Sequence, residues 1–275
     1  MSGIEQIKAD VFQWKSSTLF YRTWGKGDKL MIAFHGYGLD GKTLYPITQE
    51  ILEEYTVVAI DLPYQGRTRW RETSTLTGHE LKTLIEQFLL HIQHKGKITL
   101  LAYSIGGNYA LGLVHHCPEI VDKLVLIAAD GLKFKLPFWL ITRTWIGKAL
   151  FNGFVLFPQP IFFTIKLGRK INLFPPRVLN FFYESIATKN KRAALRMRWI
   201  SVSRIMPWQS KVIATINQSK IKVILIFGRK DHVIPVENAV RFSKKIDHCH
   251  LEILEQGHQL MHRGNAKVLK SLLEG

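Results

Sequence analysis

The chain has 275 residues, with 38 Lys and Arg against 21 Asp and Glu and a formal net charge of +17. Its 47% apolar and 21% charged composition supports a buried core and excludes a disordered chain. Cys117 and Cys249 are its only cysteines, which excludes a disulfide-stapled scaffold or a Cys-based zinc cluster and suits a reducing compartment.

The first ten residues lack a basic start followed by an apolar run, so export by a secretory signal is not expected. From Asp10 to Trp24 the pattern predicts a β-hairpin. Apolar, β-branched runs then predict strands at Lys29–Phe34, Thr56–Ile60, Ile98–Ala102, Lys123–Ala128, Lys222–Phe227 and Cys249–Leu254. Helical patterns fall between them, at about Thr43–Glu53, Thr77–His94, Ile105–His116, Glu237–Ile246 and Gly264–Leu273. Such alternation predicts an α/β fold, a mostly parallel sheet wrapped by helices on both faces. Ligands of such sheets bind beyond the carboxyl ends of the strands.

Residues 131–210 interrupt this pattern. They carry fourteen Lys and Arg against one acid, Glu184, and so hold thirteen of the seventeen net charges, together with fifteen of the 31 aromatics. Two pieces are expected: a discontinuous core of residues 1–130 and 211–275, and a basic, aromatic-rich helical insertion at 131–210. The most apolar stretch, Leu150–Ile165, is broken by Asn152, Gly153, Pro158 and Pro160 and is shorter than the ~20 residues of a membrane span. No transmembrane helix is expected.

Three strand ends carry candidate chemistry. Ile98–Ala102 runs into Tyr103-Ser104-Ile105-Gly106-Gly107, where a serine sits at the turn into a helix whose N-terminal N–H groups can face a developing oxyanion. A serine that only caps the helix is the alternative on the turn alone. Lys222–Phe227 runs into Gly228-Arg229-Lys230-Asp231, and Cys249–Leu254 into Glu255-Gln256-Gly257-His258. A hydroxyl becomes nucleophilic when an imidazole takes its proton, and the imidazole serves when a carboxylate fixes its tautomer. Ser104, His258 and Asp231 fit those roles.

This constellation resembles the α/β-hydrolase family, whose triad runs Ser, Asp or Glu, His along the chain. The resemblance covers about residues 1–130 and 211–275. The family's Gly-x-Ser-x-Gly reads Ala102-Tyr103-Ser104-Ile105-Gly106 here, with alanine replacing the first glycine. It implies that His35-Gly36-Tyr37-Gly38 is the oxyanion loop, with the backbone N–H groups of Tyr37 and Ile105 as the oxyanion hole. It also implies that Asp61-Leu62-Pro63-Tyr64-Gln65-Gly66 is a structural turn and that the insertion is a cap. No cofactor or metal is implied.

A rival pattern, Gly36-Tyr37-Gly38-Leu39-Asp40-Gly41-Lys42-Thr43, satisfies the phosphate-loop signature of an NTPase but leaves Ser104, Asp231 and His258 without a role. His248-Cys249-His250 lacks an evident further metal ligand, His115 and His116 fit a helix C-terminus through the dipole, and Lys189-Asn190-Lys191-Arg192 reads as a solvated helix face. Phe134, Phe138, Trp139, Trp145, Phe151, Phe154, Phe162 and Phe163 can form cap core or line an apolar pocket.

The expected activity is hydrolysis of an acyl ester of an apolar substrate (carboxylic ester, thioester or lysophospholipid) through an acyl-enzyme. The alternatives are carbon–carbon bond hydrolysis by the same triad and a non-catalytic lipid- or partner-binding module. The expected setting is the cytoplasm. The basic cap can also rest on an anionic membrane surface, and nucleic acid is the weaker partner reading.

Overall fold

The computed structural model describes residues 7–133, 135–170, 180 and 183–275. Eight strands form one sheet: β1 (Lys8–Trp14), β2 (Ser17–Trp24), β3 (Lys29–Phe34), β4 (Tyr55–Ile60), β5 (Ile98–Tyr103), β6 (Val121–Ile127), β7 (Lys222–Gly228) and β8 (Cys249–Leu254). Their order is β1-β2-β4-β3-β5-β6-β7-β8, with β1–β2 and β2–β4 antiparallel and every other pairing parallel. The fold is therefore the mostly parallel, helix-wrapped sheet that the sequence pattern predicts.

The interior strands β3 to β7 are buried almost throughout, because helices cover both of their faces. On one face Met31, Ala33, Val57, Leu101, Val125 and Ile224 pack with Leu44 and Ile47, which flank or lie in α1 (Tyr45–Thr48), and with Leu269 and Leu273 of α10 (Ala266–Glu274). Three helices adjoin one another in sequence: α2 (Gly78–His91) packs on α3 (Gly106–His116), and α3 on α8 (Gln209–Gln218), while α9 (Val236–Ser243) lies on β7 and β8. The N-terminal hairpin is held to α2 by Phe88, fully buried, whose ring meets Phe12 at 5.5 Å and Tyr21 at 5.0 Å edge-on. A capping box opens α2: the Thr77 hydroxyl accepts from Glu80 N, and the Glu80 carboxylate accepts from Thr77 N.

The helix expected over Thr43–Glu53 is much shorter. A 3₁₀ turn at Gly41–Leu44 leads into α1, with Pro46 in its first turn, and the chain leaves the helix after Thr48. Ile51 and Leu52 then turn into the core through a tight backbone turn in which Ile51 N donates to Thr48 O. Two buried apolar side chains outweigh the helical propensity of the residues around them.

His115 and His116 need no dipole explanation. His116 lies 4.7 Å from the His79 ring and 5.0 Å from that of His115, and His115 Nδ1 meets Thr215 Oγ1 at 3.1 Å. Burial, with like charge around them, lowers both pKa values, that of His116 to about 4. Burial therefore disfavours the charged form of both rings, although they stand in the last turn of α3.

By its internal packing the chain divides into two units: residues 1–134 with 205–275, and residues 135–204. Residues 131–133 and 205–210 belong with the core, where Gly131 lies against Leu111 and Met206 and Gln209 donates to Leu132 O. The second unit holds α4 (Leu136–Arg143), α5 (Trp145–Leu156), α6 (Gln159–Lys170) and nearly all of α7 (Lys189–Ile205). Phe151 is buried in it, with the Trp199 ring at 5.6 Å, and Trp199 also meets Phe138 at 5.5 Å. Phe134 and Arg177 lie outside the described residues. Arg192 is not on a solvated face: it is 7% exposed, and its guanidinium donates to the backbone oxygens of Val155, Ile186 and Ala187. Among the described residues no single helix is long and apolar enough to cross a membrane, and α5 and α6 are bent by 78° from one another.

The histidine cluster sets an acid limit on stability. The folded pKa values of His115 and His116 lie below the unfolded value near 6.5, so below that pH the unfolded chain binds more protons. Their contribution is complete above pH 6.5 and is lost as the pH falls from there towards about 4. Urea unfolding at pH 7 and pH 5 should show a lower midpoint at pH 5, and His116→Gln should narrow that difference. An unchanged difference in the variant would refute this assignment.

Candidate active site

Ser104 follows the last residue of β5 and precedes α3. Its φ of +51° lies in the left-handed region, which a non-glycine residue adopts at a cost of ~1–2 kcal/mol. The turn is secured by backbone bonds: Ser104 N donates to Ile127 O at 3.2 Å, and Ser104 O accepts from Gly107 N at 3.0 Å and Asp130 N at 2.8 Å. It also requires close approach. A Cβ on Gly106 would stand 2.4 Å from Phe34 O, and one on Gly107 would stand 2.5 Å from Asp130 O. Ala102, where the family pattern has glycine, is a fully buried residue of β5 paired with Phe34 and Leu126, so a methyl group fits there.

Asp231 and His258 come from the loops after β7 and β8, which are zipped together. Arg229 N donates to Leu254 O and Lys230 N to Gln256 O, and Gly228 lies where a Cβ would stand 2.4 Å from Gln256 O. His258 Nδ1 donates to Asp231 Oδ2 at 2.7 Å, and His258 Nε2 is 3.1 Å from Ser104 Oγ. The other carboxylate oxygen of Asp231 accepts from Val233 N at 2.7 Å and Ile234 N at 2.9 Å. With its carboxylate inaccessible and His258 partly exposed, Asp231 presents one acceptor to the imidazole and holds Nε2 towards the serine.

The loop after β3 stands beside this turn, because Gly106 packs on Phe34 O and His35 O and Gly36 lies against the Tyr103 ring. His35 is fully buried and bridges the loop. Its Nδ1 donates to Gly36 O at 2.7 Å and its Nε2 accepts from Leu62 N at 3.0 Å, an arrangement that requires a neutral ring, and burial lowers its pKa. Gly38 N donates to Gln65 Oε1 at 2.7 Å. Tyr37 therefore sits in a loop pinned on both sides. Ile105 occupies the N-cap of α3 with φ −58°, where the first N–H groups have no intrahelical acceptor.

The phosphate-loop reading of Gly36–Thr43 fails on the same geometry. Gly41 N donates to Asp61 Oδ1, Lys42 N to Asp40 Oδ1 and Thr43 N to Asp40 O, so the backbone groups that would cradle phosphate are bound to carboxylates and a carbonyl. Asp61 is fully buried and structural. It takes a 2.8 Å ion pair from Arg22 Nη1 as well as Gly41 N and Arg67 N, while its carbonyl accepts from Thr68 Oγ1.

His35, Gln65 and Tyr103 lie within the motifs that the sequence shows, but the contacts they make have no signature there, because their partners are main-chain atoms or distant loops. The Tyr103 hydroxyl donates to His258 O at 3.0 Å, and its ring lies 5.3 Å from the imidazole. Burial, then the Asp231 charge, pushes the Tyr103 pKa up to about 12, so it remains a donor. Burial likewise raises Cys117 to about 12 and Cys249 to about 11, leaving neither as a thiolate. Among the described residues no group of His, Cys, Asp or Glu could hold a metal ion, and His250 is 3.6 Å from Glu252 instead.

A family model described as alpha/beta hydrolase fold matches residues 29–263, and the chain belongs to that family. It is 22% identical over 279 residues to an uncharacterized protein of Mycobacterium tuberculosis, covering 90% of this chain and 75% of that one. It is also 22% identical over 256 residues to the pimeloyl-acyl-carrier-protein methyl ester esterase of Aliivibrio salmonicida, covering 88% of each. Among solved structures, a thermophilic esterase from Thermogutta terrifontis superposes with a TM-score of 0.70 at 14% identity over 98% of each chain. The 2-hydroxy-6-oxo-6-phenylhexa-2,4-dienoate hydrolase of a Rhodococcus strain gives 0.65 at 20% identity, again over 98% of each. These structures share the fold.

Two substitutions test the contacts that hold the loops around the site. Asp61→Ala leaves the Arg22 guanidinium buried without its main partner and should cost ~3–5 kcal/mol in urea unfolding. Gly106→Ala drives a methyl into Phe34 O and should cost ~1–3 kcal/mol. Either variant unfolding at the wild-type midpoint would contradict these contacts.

Proposed function

We propose that this chain is a serine hydrolase that cleaves an acyl ester of an apolar substrate through an acyl-enzyme. The observation that carries the proposal is the unbroken line from Asp231 Oδ2 to His258 Nδ1 at 2.7 Å and from His258 Nε2 to Ser104 Oγ at 3.1 Å, with Ser104 held in a left-handed turn. In this reading His258 takes the Ser104 proton as Oγ attacks the acyl carbonyl, and Asp231 stabilises the imidazolium that forms. The carbonyl oxygen gains negative charge and is met by the N–H groups of Tyr37 and Ile105. His258 then returns the proton to the leaving alkoxide, and water releases the acyl group by the same steps in reverse order.

The esterase relative supports the ester class, and apolar side chains on the site's own loops support an apolar substrate. Leu39 is 36% exposed two residues after Tyr37, and Val233 is 59% exposed two residues after Asp231. A substrate methylene buried against such residues gains ~0.8 kcal/mol, about fourfold in the specificity constant.

p-Nitrophenyl esters of increasing chain length test the proposal. kcat/KM should rise from acetyl to about octanoyl and then level. Ser104→Ala should lower turnover by up to ~10⁶ and Asp231→Asn by ~10⁴, both folding normally. Wild-type protein without turnover of any ester would point to a non-catalytic module. Full activity in Ser104→Ala would remove the serine mechanism.

A further inference from the structure

The second unit presents apolar side chains outwards to an unusual degree. Of sixteen exposed large hydrophobic residues among those described, eleven fall within residues 135–204, a quarter of the chain. Scattered exposed hydrophobics are ordinary, whereas such concentration marks an interaction surface.

They are organised by helix α5. Gly147, Phe151 and Val155, spaced four apart, form its buried stripe. The other side carries Trp145 at 79% exposure, Ile146 at 53%, Leu150 at 69% and Leu156 at 54%. The one charged residue of α5, Lys148, and the exposed Asn152 four residues on lie along one margin, so the helix is predominantly apolar both inwards and outwards. A helix of that kind requires an apolar medium on each side. Phe157, the C-cap residue of α5, is 70% exposed, and α6 in turn exposes Phe163 at 66% and Leu167 at 46%, spaced four apart. Lys166 and Lys170, also four apart and exposed, flank them on the same side of α6.

Charge identifies the occupant. Between residues 135 and 204 the single acid is Glu184, and it is 3.7 Å from Lys191. A second copy of this chain would bring two strongly basic units together. Exposed Trp and Phe beside Lys, whose aliphatic stems lie along apolar surface while their heads stay in water, match the boundary between acyl chains and anionic headgroups. We propose that the outward face of α5 and α6 docks on the surface of an anionic lipid bilayer, without crossing it. This inference is independent of the role of Ser104.

Sedimentation of the full chain with vesicles of phosphatidylcholine alone, or with about one third phosphatidylglycerol, tests it. Binding should require the anionic lipid and fall as salt rises. Lys166→Glu with Lys170→Glu should weaken it by at least about fivefold for each charge removed. Trp145→Ser with Phe157→Ser and Phe163→Ser, all at exposed positions, should weaken it at least about tenfold at unchanged charge and thermal midpoint. Brominated acyl chains should quench wild-type tryptophan fluorescence, and Trp145→Phe should remove most of that quenching. Absence of binding to anionic vesicles at low salt would overturn the proposal. So would binding indifferent to the apolar triple variant, which would be adsorption by charge alone. A lipid-free dimer in sedimentation velocity that the triple variant dissolves would assign the face to a second copy and overturn it too.

Discussion

The left-handed turn at Ser104 is the constraint around which the site is arranged. A serine does not adopt this conformation for its own sake, and the surrounding packing has to enforce it. The strand before it is fixed on both sides by β3 and β6, and the helix after it is drawn onto the end of β3 because Gly106 and Gly107 allow backbone to touch backbone. The consequence is geometric. Oγ is lifted off the sheet edge, the first turn of α3 lies beside it, and the loop carrying Tyr37 is brought alongside by the same contact. Parallel strand order then delivers Asp231 and His258, because β7 and β8 end at the same edge as β5.

Buried polar groups hold the loops that this arrangement needs. Arg22 and Asp61 tie the second strand to the turn after the fourth and to Gly41, and Asp61 leaves no carboxylate oxygen without a donor. His35, kept neutral by burial, joins Gly36 to Leu62. Tyr103 ties the neighbour of the serine to the main chain of His258. Each of these links fixes a backbone position, which is how a site of a few side chains is held to within a fraction of an ångström on loops.

The sheet was legible because its strands are short β-branched runs with glycine-rich ends, and Lys29–Phe34 and Cys249–Leu254 coincide with the expectation residue for residue. Ser104, Asp231 and His258 stood out because each follows such a run at the sheet edge where the structure brings them together. What was not legible depends on partners distant in the chain. Arg192 reads as one more surface cation until Val155 O, 37 residues earlier, is found to accept from it. His115 and His116 read as helix-end cations until His79 and the surrounding burial are known. The helix over Thr43–Glu53 stopped early because Ile51 and Leu52 are more stable in the core than in a continued helix. The outward apolar face of α5 is invisible in composition, since buried and exposed hydrophobics look alike until one stripe is seen to be covered.

The central claim is that the Ser104 hydroxyl is activated by His258. The most direct test is reaction of the native protein with a fluorophosphonate, read by intact mass and peptide mapping, with His258→Gln as the comparison. The account predicts one adduct per chain, on Ser104, forming orders of magnitude more slowly in the variant. No adduct, an adduct elsewhere, or equal rates in the two proteins would contradict it.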